Sequence, residues 1–389
     1  MVGENFTFDF QTAQRILFGT GSVARLGSLA LEYGHRAFWI TTKRRPFHQI
    51  IEESLLSAGI EFQNLEVHGE PKIGQVVELV KQIKDNPWDM IIATGGGSVI
   101  DLAKAVAALS VNPGDPLDYL EVVGKNKPLE VTPLPVLAIP TTAGTGSEVT
   151  RNAVITLPQH GIKVSLRSPK MLPVLALVDP ALTVDLPPEV TASTGMDALT
   201  QVIEPYVSNR ANVMTDLFCE GGIRRISRSI LKAYQAGNDL EARQDMAFGS
   251  LMGGLALANA GLGAVHGFAA PIGGMFRAPH GAICARLLPV VCRVNIEVLR
   301  RENPKHPLLK RYQQVAAWLT GEETEDPMRG VQWLENICKV LNIPSLQAYG
   351  IQRKDFSVIA EAARRASSMK ANPVELDDKD LIRVLEMAY

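Results

Sequence analysis

An α/β domain built on a mostly parallel, doubly wound sheet, followed by an all-helical domain, is the fold class the sequence predicts. Two observations carry it. Up to about residue 183, short apolar runs alternate with amphipathic helical stretches. After residues 185–188 (DLPP) the alternation stops, and long helical patterns rich in Ala and Leu take over. The boundary therefore falls at residue 185, with an α/β domain over 1–185 and a helical domain over 186–389. A chain of 389 residues has room for two such cores.

The strands are expected at 36–42 (RAFWITT), 89–94 (DMIIAT), 136–140 (VLAIP) and 175–178 (LALV). Each is a short, continuously apolar run of the kind a doubly covered sheet buries. Helices are expected between them at 23–33, 76–83 and 98–109, a spacing that implies parallel crossovers. Further helices are expected at 191–207, 212–236, 240–260 and 308–320. No internal repeat or low-complexity tract interrupts this order.

Composition narrows the function classes. Hydrophobic residues make up 46% and charged residues 21%, which excludes a disordered or fibrous chain. The net charge of −2, with basic patches no larger than Lys43-Arg44-Arg45 and Arg224-Arg225 with Arg228, argues against a nucleic-acid partner. The nearest candidate for a membrane span, 91–111, contains Asp101 and Lys104, so no span is expected. The first ten residues carry Glu4 and Asp9 and lack a basic-then-apolar leader pattern. Cys219, Cys284, Cys292 and Cys338 form no CxxC pair, and a reducing cytoplasm is the expected location.

Three glycine clusters compete for a phosphate-binding role. Residues 19–24 (GTGSVA) fit a dinucleotide fingerprint on paper, but the next strand ends Thr41-Thr42-Lys43 without the acidic residue such a site needs, so a tight turn is expected. Residues 95–98 (GGGS) follow a buried strand and open a helix. Glycines there leave the backbone N–H groups of a helix N-terminus open to an anion, with Ser98 and Asp101 available to cap the first turn. Residues 140–148 (PTTAGTGSE) again follow a buried strand and are dense in hydroxyls. Two such loops at strand C-termini mark the crevice where open α/β sheets bind nucleotides.

The helical domain holds a second constellation. His266 and His280 lie among small and apolar residues, and Asp197 and Gln201 stand at i and i+4 on one helical face. Either histidine alone reads as a core residue. A carboxylate among Met, Ala and Leu, however, needs a partner or a metal. With two imidazoles it would suit Fe2+ or Zn2+.

The motifs 95–101 (GGGSVID), 140–150 (PTTAGTGSEVT), 194–200 (TGMDALT), Val265-His266-Gly267 and Pro279-His280-Gly281 occur in this order. Together they resemble the iron-containing (group III) alcohol dehydrogenase family, over nearly the whole chain. The resemblance implies a Rossmann-like domain followed by a helical domain, in the architecture shared with dehydroquinate synthase. It implies NAD or NADP as cofactor, a divalent metal (Fe2+, with Zn2+ as the alternative), a small alcohol or aldehyde substrate, and a homodimer. By the same resemblance Gly96, Gly97 and Ser98, with Asp101 close by, hold the cofactor pyrophosphate. Thr141, Thr142, Thr145 and Ser147 line its nicotinamide side, and Lys163, Leu182 and Thr183 make further contacts. Asp197, His266 and His280 occupy three of the four metal-ligand positions. Three departures stand out. Gln201 replaces the histidine that most relatives carry as fourth ligand, though its amide oxygen remains a donor. Ala270 replaces a histidine near the substrate. Thr42 stands where NAD-selective relatives carry an aspartate, beside basic residues that would attract a 2′-phosphate. The implied activity is interconversion of a small alcohol and its aldehyde or ketone by hydride transfer at a metal-polarised carbonyl. A metal-independent reductase like maleylacetate reductase, and a non-redox lyase of the dehydroquinate synthase type, are the alternatives.

Overall fold

The computed structural model describes residues 7–389 apart from 44 and 277. Arg44, the middle of the basic run, and Glu4 of the opening segment therefore lie outside the described residues. The strands are β1 (Arg15–Phe18), β2 (Arg36–Thr41), β3 (Glu61–Glu66), β4 (Met90–Gly95), β5 (Val136–Pro140), β6 (Asn152–Leu157), β7 (Ile162–Arg167) and β8 (Leu175–Val178). Six of them form a parallel sheet in the order β1-β8-β5-β4-β2-β3. The remaining two, β6 and β7, pair as an antiparallel hairpin. All four expected strands are present, and β2 stops one residue short, at Thr41.

Helices α1 (Leu26–Ala30), α2 (Phe47–Ser57), α3 (Ile73–Lys84) and α4 (Gly97–Val111) accompany the sheet. The stretch expected as one helix over 23–33 is instead a 3-10 turn, Ser22–Arg25, followed by the short α1. Alternation along the central strands divides the core. Phe38, Ile40, Ile91 and Ala93 pack on one face, while Ala37, Trp39, Met90 and Ile92 pack on the other. Burial on both faces explains why these strands read as unbroken apolar runs.

Beyond Asp185 the chain is helical: α5 (Pro188–Val207), α6 (Val213–Gln235), α7 (Leu240–Ala260), α8 (Ala264–Met275), α9 (His280–Glu302), α10 (Pro307–Thr320), α11 (Met328–Val340), α12 (Phe356–Arg365) and α13 (Asp378–Ala388). They share one apolar core that includes Leu199, Ile226, Phe268 and Leu287. The described residues fold as two compact units. One comprises Gln11–Thr142 and Gly146–Asp185; the other comprises Leu186–Tyr389 with Ala143–Thr145 and residues 7–10. Among the described residues no single helix is long and apolar enough to cross a membrane. The basic cluster on α6 is locally neutralised: Arg225 and Arg228 pair with Asp245, and Arg224 with Glu220.

Candidate active site

In the α/β unit, the two hydroxyl- and glycine-rich loops leave neighbouring strands. Gly95 of β4 and Pro140 of β5 are register partners, and the Thr141 N–H donates to the Gly95 carbonyl at 3.0 Å. On the other side of β4, the Thr42 N–H donates to the Thr94 carbonyl at 3.3 Å. Thr42, the glycine loop and Thr141 are thus side by side at the C-terminal edge of the sheet, where the strand order changes direction along the chain. Gly96 precedes α4 and no side chain caps that helix, so the expected cap by Ser98 or Asp101 is not made. An uncapped first turn keeps its N–H groups available to an anion.

Asp101 has a different task. It accepts from the Ser147 hydroxyl and from the Val154 N–H (2.9 Å), and lies 3.3 Å from the Lys104 ammonium. Lys104 is wholly buried on α4 and donates to the Ser147 carbonyl at 2.9 Å and the Thr150 hydroxyl at 3.1 Å. Asp101 and Ser147 therefore hold the second loop on α4. Gly146 makes this turn possible with a left-handed φ of 60°. Burial pushes the neighbouring Glu148 carboxyl up to about 7, with its backbone hydrogen bond and Lys104 opposing.

The other expected cofactor residues lie on separate elements. Thr141, Thr142 and Ser147 belong to the α/β unit, whereas Thr145 belongs to the helical one. Lys163, on β7, pairs with Glu70 at 2.6 Å. Leu182 and Thr183 lie in a 3-10 turn, where the Thr183 hydroxyl donates to the Pro180 carbonyl at 2.8 Å. The first glycine cluster is a turn, as expected. Its Gly21 and Val23 N–H groups both donate to the Asp179 carboxylate at 3.1 Å, which leaves neither for a phosphate.

In the helical unit, three elements converge. Asp197 and Gln201 lie on α5, His266 on α8, and His280 is the first residue of α9. The Asp197 Oδ1 is 3.5 Å from His266 Nε2 and 3.8 Å from His280 Nε2. The two rings have centroids 5.3 Å apart. Close packing of α9 on α5 depends on Gly281, where a Cβ would meet the Ser193 carbonyl oxygen at 2.6 Å.

Two residues of this cluster lie outside the sequence expectation. Cys284, one turn after His280, places its sulfur 3.6 Å from His280 Nε2 and 3.8 Å from His266 Nε2. The i, i+4 spacing from His280 is the signal that could have found it. Glu204 accepts from the Val265 N–H at 2.7 Å, and its other oxygen lies 2.7 Å from His266 Nδ1. That bond fixes the ring and turns Nε2 toward Asp197, the arrangement by which carboxylates orient metal-ligating histidines. Its signal is the i, i+4, i+7 series Asp197, Gln201, Glu204 along α5.

The donor set fits a divalent ion. Asp197 Oδ1 and Gln201 Oε1 are buried without a hydrogen-bond partner, a costly condition that a cation would relieve. Asp197, His266, His280 and Cys284 each offer one ligand atom, all within 4.8 Å of one another. Burial works to raise the Asp197 pKa, but the imidazoles of His280 and His266 outweigh it and hold the carboxyl below its usual range. Burial likewise opposes charge on His266, yet Cys284, Glu204 and Asp197 together raise its pKa well above the usual value.

A parallel sheet with glycine loops at its C-terminal edge, followed by a helical unit carrying a buried carboxylate–imidazole cluster, is the arrangement of a dehydrogenase with a candidate metal site. The comparisons with known proteins agree. Residues 13–180 match the family described as iron-containing alcohol dehydrogenase, and residues 191–389 match the C-terminal part of the Fe-containing alcohol dehydrogenase family. Alcohol dehydrogenase 4 of Saccharomyces cerevisiae is 36% identical over 320 residues, spanning 82% of this chain and 81% of that protein. The NAD-dependent methanol dehydrogenase of Bacillus methanolicus is 32% identical, spanning 96% and 97%. The crystal structure of a 1,3-propanediol oxidoreductase superposes with a TM-score of 0.89 at 31% identity, covering 98% of this chain and 100% of that one. The chain belongs to the iron-containing alcohol dehydrogenase family, and its function is that of an oxidoreductase of this family.

Proposed function

We propose that the protein interconverts a small alcohol and its aldehyde or ketone, with NAD or NADP as hydride carrier and a divalent ion held by Asp197, His266 and His280, Gln201 being a further oxygen donor. The observation that carries this reading is the pair of buried, unpartnered oxygens on α5, one of them beside two imidazoles. A metal bound there would supply Lewis acidity to the substrate oxygen while the nicotinamide exchanges hydride with the carbon. The chain's own groups do the rest. Asp197 contributes a negative charge at the donor cluster, Glu204 sets the ring of His266, and the apolar residues around them limit water. Gly96, Gly97 and Ser98 accommodate the pyrophosphate at the α4 N-terminus. Thr141, Thr142, Thr145 and Ser147 are assigned to the nicotinamide side, with Asp101 acting through Ser147; Lys163, Leu182 and Thr183 are assigned to outlying cofactor contacts.

Ala270 is exposed and carries no titratable group, so the proton that accompanies reduction comes from elsewhere. Thr42 leaves the end of β2 without a carboxylate, which supports acceptance of NADPH at least as well as NADH. Four free, buried cysteines support a reducing, cytoplasmic location. The test is reduction of short aldehydes with each cofactor, before and after chelation. Turnover lost on metal removal and restored by Fe2+ or Zn2+ is the expected result. Full turnover in protein shown metal-free by elemental analysis would establish the metal-independent reductase instead.

A further inference from the structure

Resting on the reading that Asp197, His266 and His280 hold a divalent ion, we infer that the Cys284 thiolate, in place of the Gln201 amide oxygen, is the fourth protein ligand, and that it tilts the site from Fe2+ toward Zn2+.

The argument is geometric. Four donors around a tetrahedral zinc, at about 2.0–2.2 Å for nitrogen or oxygen and about 2.3 Å for sulfur, are separated from one another by roughly 3.3–3.6 Å. The observed separations are 3.5 Å (Asp197 Oδ1 to His266 Nε2), 3.8 Å (Asp197 Oδ1 to His280 Nε2), 3.6 Å (Cys284 Sγ to His280 Nε2) and 3.8 Å (Cys284 Sγ to His266 Nε2). Four of the six edges of the tetrahedron are thus already within a few tenths of an ångström of their final length. Cys284 is also placed without freedom to leave. It is wholly buried on α9, one turn from His280, so both ligands are carried by the same rigid turn. Asp197 is 2% exposed, and its Oδ1 has no hydrogen bond and lies 3.5 and 3.8 Å from the two imidazole nitrogens, an arrangement suited to a ligand site independently of the cysteine.

The chemistry follows from the donor. A coordinating thiol is deprotonated by the cation, releasing one proton to solvent as the metal–sulfur bond forms. Thiolate is a softer donor than imidazole or amide oxygen and favours Zn2+ over the harder Fe2+ beyond the ordinary ordering of these ions. Because almost any nitrogen–oxygen site prefers Zn2+ to Fe2+, the informative quantity is how far that preference changes when the sulfur is removed.

The experiment is titration of metal-free protein with Co2+, read by absorption. The expected result is an intense near-ultraviolet thiolate-to-cobalt charge-transfer band together with the weaker visible bands of a bound ion. In Cys284→Ser the charge-transfer band should vanish while visible bands persist, and the Zn2+-over-Fe2+ preference in anaerobic competition should fall at least tenfold. Gln201→Ala should keep the charge-transfer band. Visible bands without charge transfer in the wild type would overturn the cysteine assignment and leave the metal reading standing. No cobalt bands in any variant would overturn both. X-ray absorption of the zinc-loaded wild type provides a check independent of mutant folding, with a sulfur scatterer expected at about 2.3 Å.

Discussion

Glu204 touches no donor position directly, yet it commits both carboxylate oxygens to the segment that carries His266, one to the Val265 N–H and one to His266 Nδ1. A ring held this way presents a fixed nitrogen, and the entropy of ordering it is lost in folding rather than in binding. Glu204→Gln keeps the size and one acceptor but sets an amide against the imidazole. Metal affinity, measured by competition with a chromogenic chelator, should fall by about 10–100-fold, the usual effect of losing an outer carboxylate. The helical content of the variant should be unchanged. An affinity equal to wild type would reduce Glu204 to a packing residue. Glu204→Ala is the harsher comparison, since it also leaves a buried backbone N–H without an acceptor, at about 1–3 kcal/mol in stability.

At the scale of elements, the β4–α4 turn separates folding from binding in two adjacent glycines. A Cβ on Gly95 would lie 2.5 Å from Val99 Cγ2 and 2.7 Å from its Cβ, inside α4 itself. Gly95→Ala should therefore destabilise the protein by about 1–3 kcal/mol, visible as a lowered Tm. A Cβ on Gly96 would meet only Thr142, at 3.4 Å, and its φ of −72° suits any residue. Gly96→Ala should fold normally but lose at least tenfold in NADH affinity, about 1.4 kcal/mol, because the added methyl occupies the pyrophosphate approach. Normal binding by the second variant would make the loop a plain turn. Legibility divides along similar physical lines. The central strands are readable because burial on both faces makes them uniformly apolar. The edge strand β3 is not, because its sequence EFQNLE is largely exposed and carries two glutamates. The β6–β7 hairpin is hidden by its mixture of polar and β-branched residues, and α9 by the proline inside it. Asp197, His266 and His280 stand out as polar residues in apolar surroundings. Cys284 does not, since a buried cysteine reads as a small hydrophobe until its neighbours are known.

For the molecule as a whole, the proposed metal donors and the proposed pyrophosphate turn are held by different units, and of the residues assigned to the cofactor only Thr145 belongs to the helical one. Asp197, Gln201, His266, His280 and Cys284 all belong to the helical unit, whereas the Gly95–Gly97 turn and the α4 N-terminus belong to the α/β unit. Among the described residues, no donor of the metal cluster comes from the stretch between Gln11 and Thr142. Loading the metal should accordingly stabilise by mass action only what folds around it, and cofactor binding should do the same for the α/β unit. The consequence is measurable in His280→Ala, which removes one imidazole and with it most of the metal affinity. Aldehyde reduction should be abolished, while the NADH dissociation constant, read by fluorescence, stays within about a factor of two of wild type. Hydrogen exchange should report the same division: metal addition to the wild type slows exchange in α5, α8 and α9, and NADH slows it at the β4–α4 turn. A protein that lost NADH binding together with its metal would require the cofactor to be held by the helical unit, and the assignment of Gly96, Gly97 and Ser98 to the pyrophosphate would fall with it.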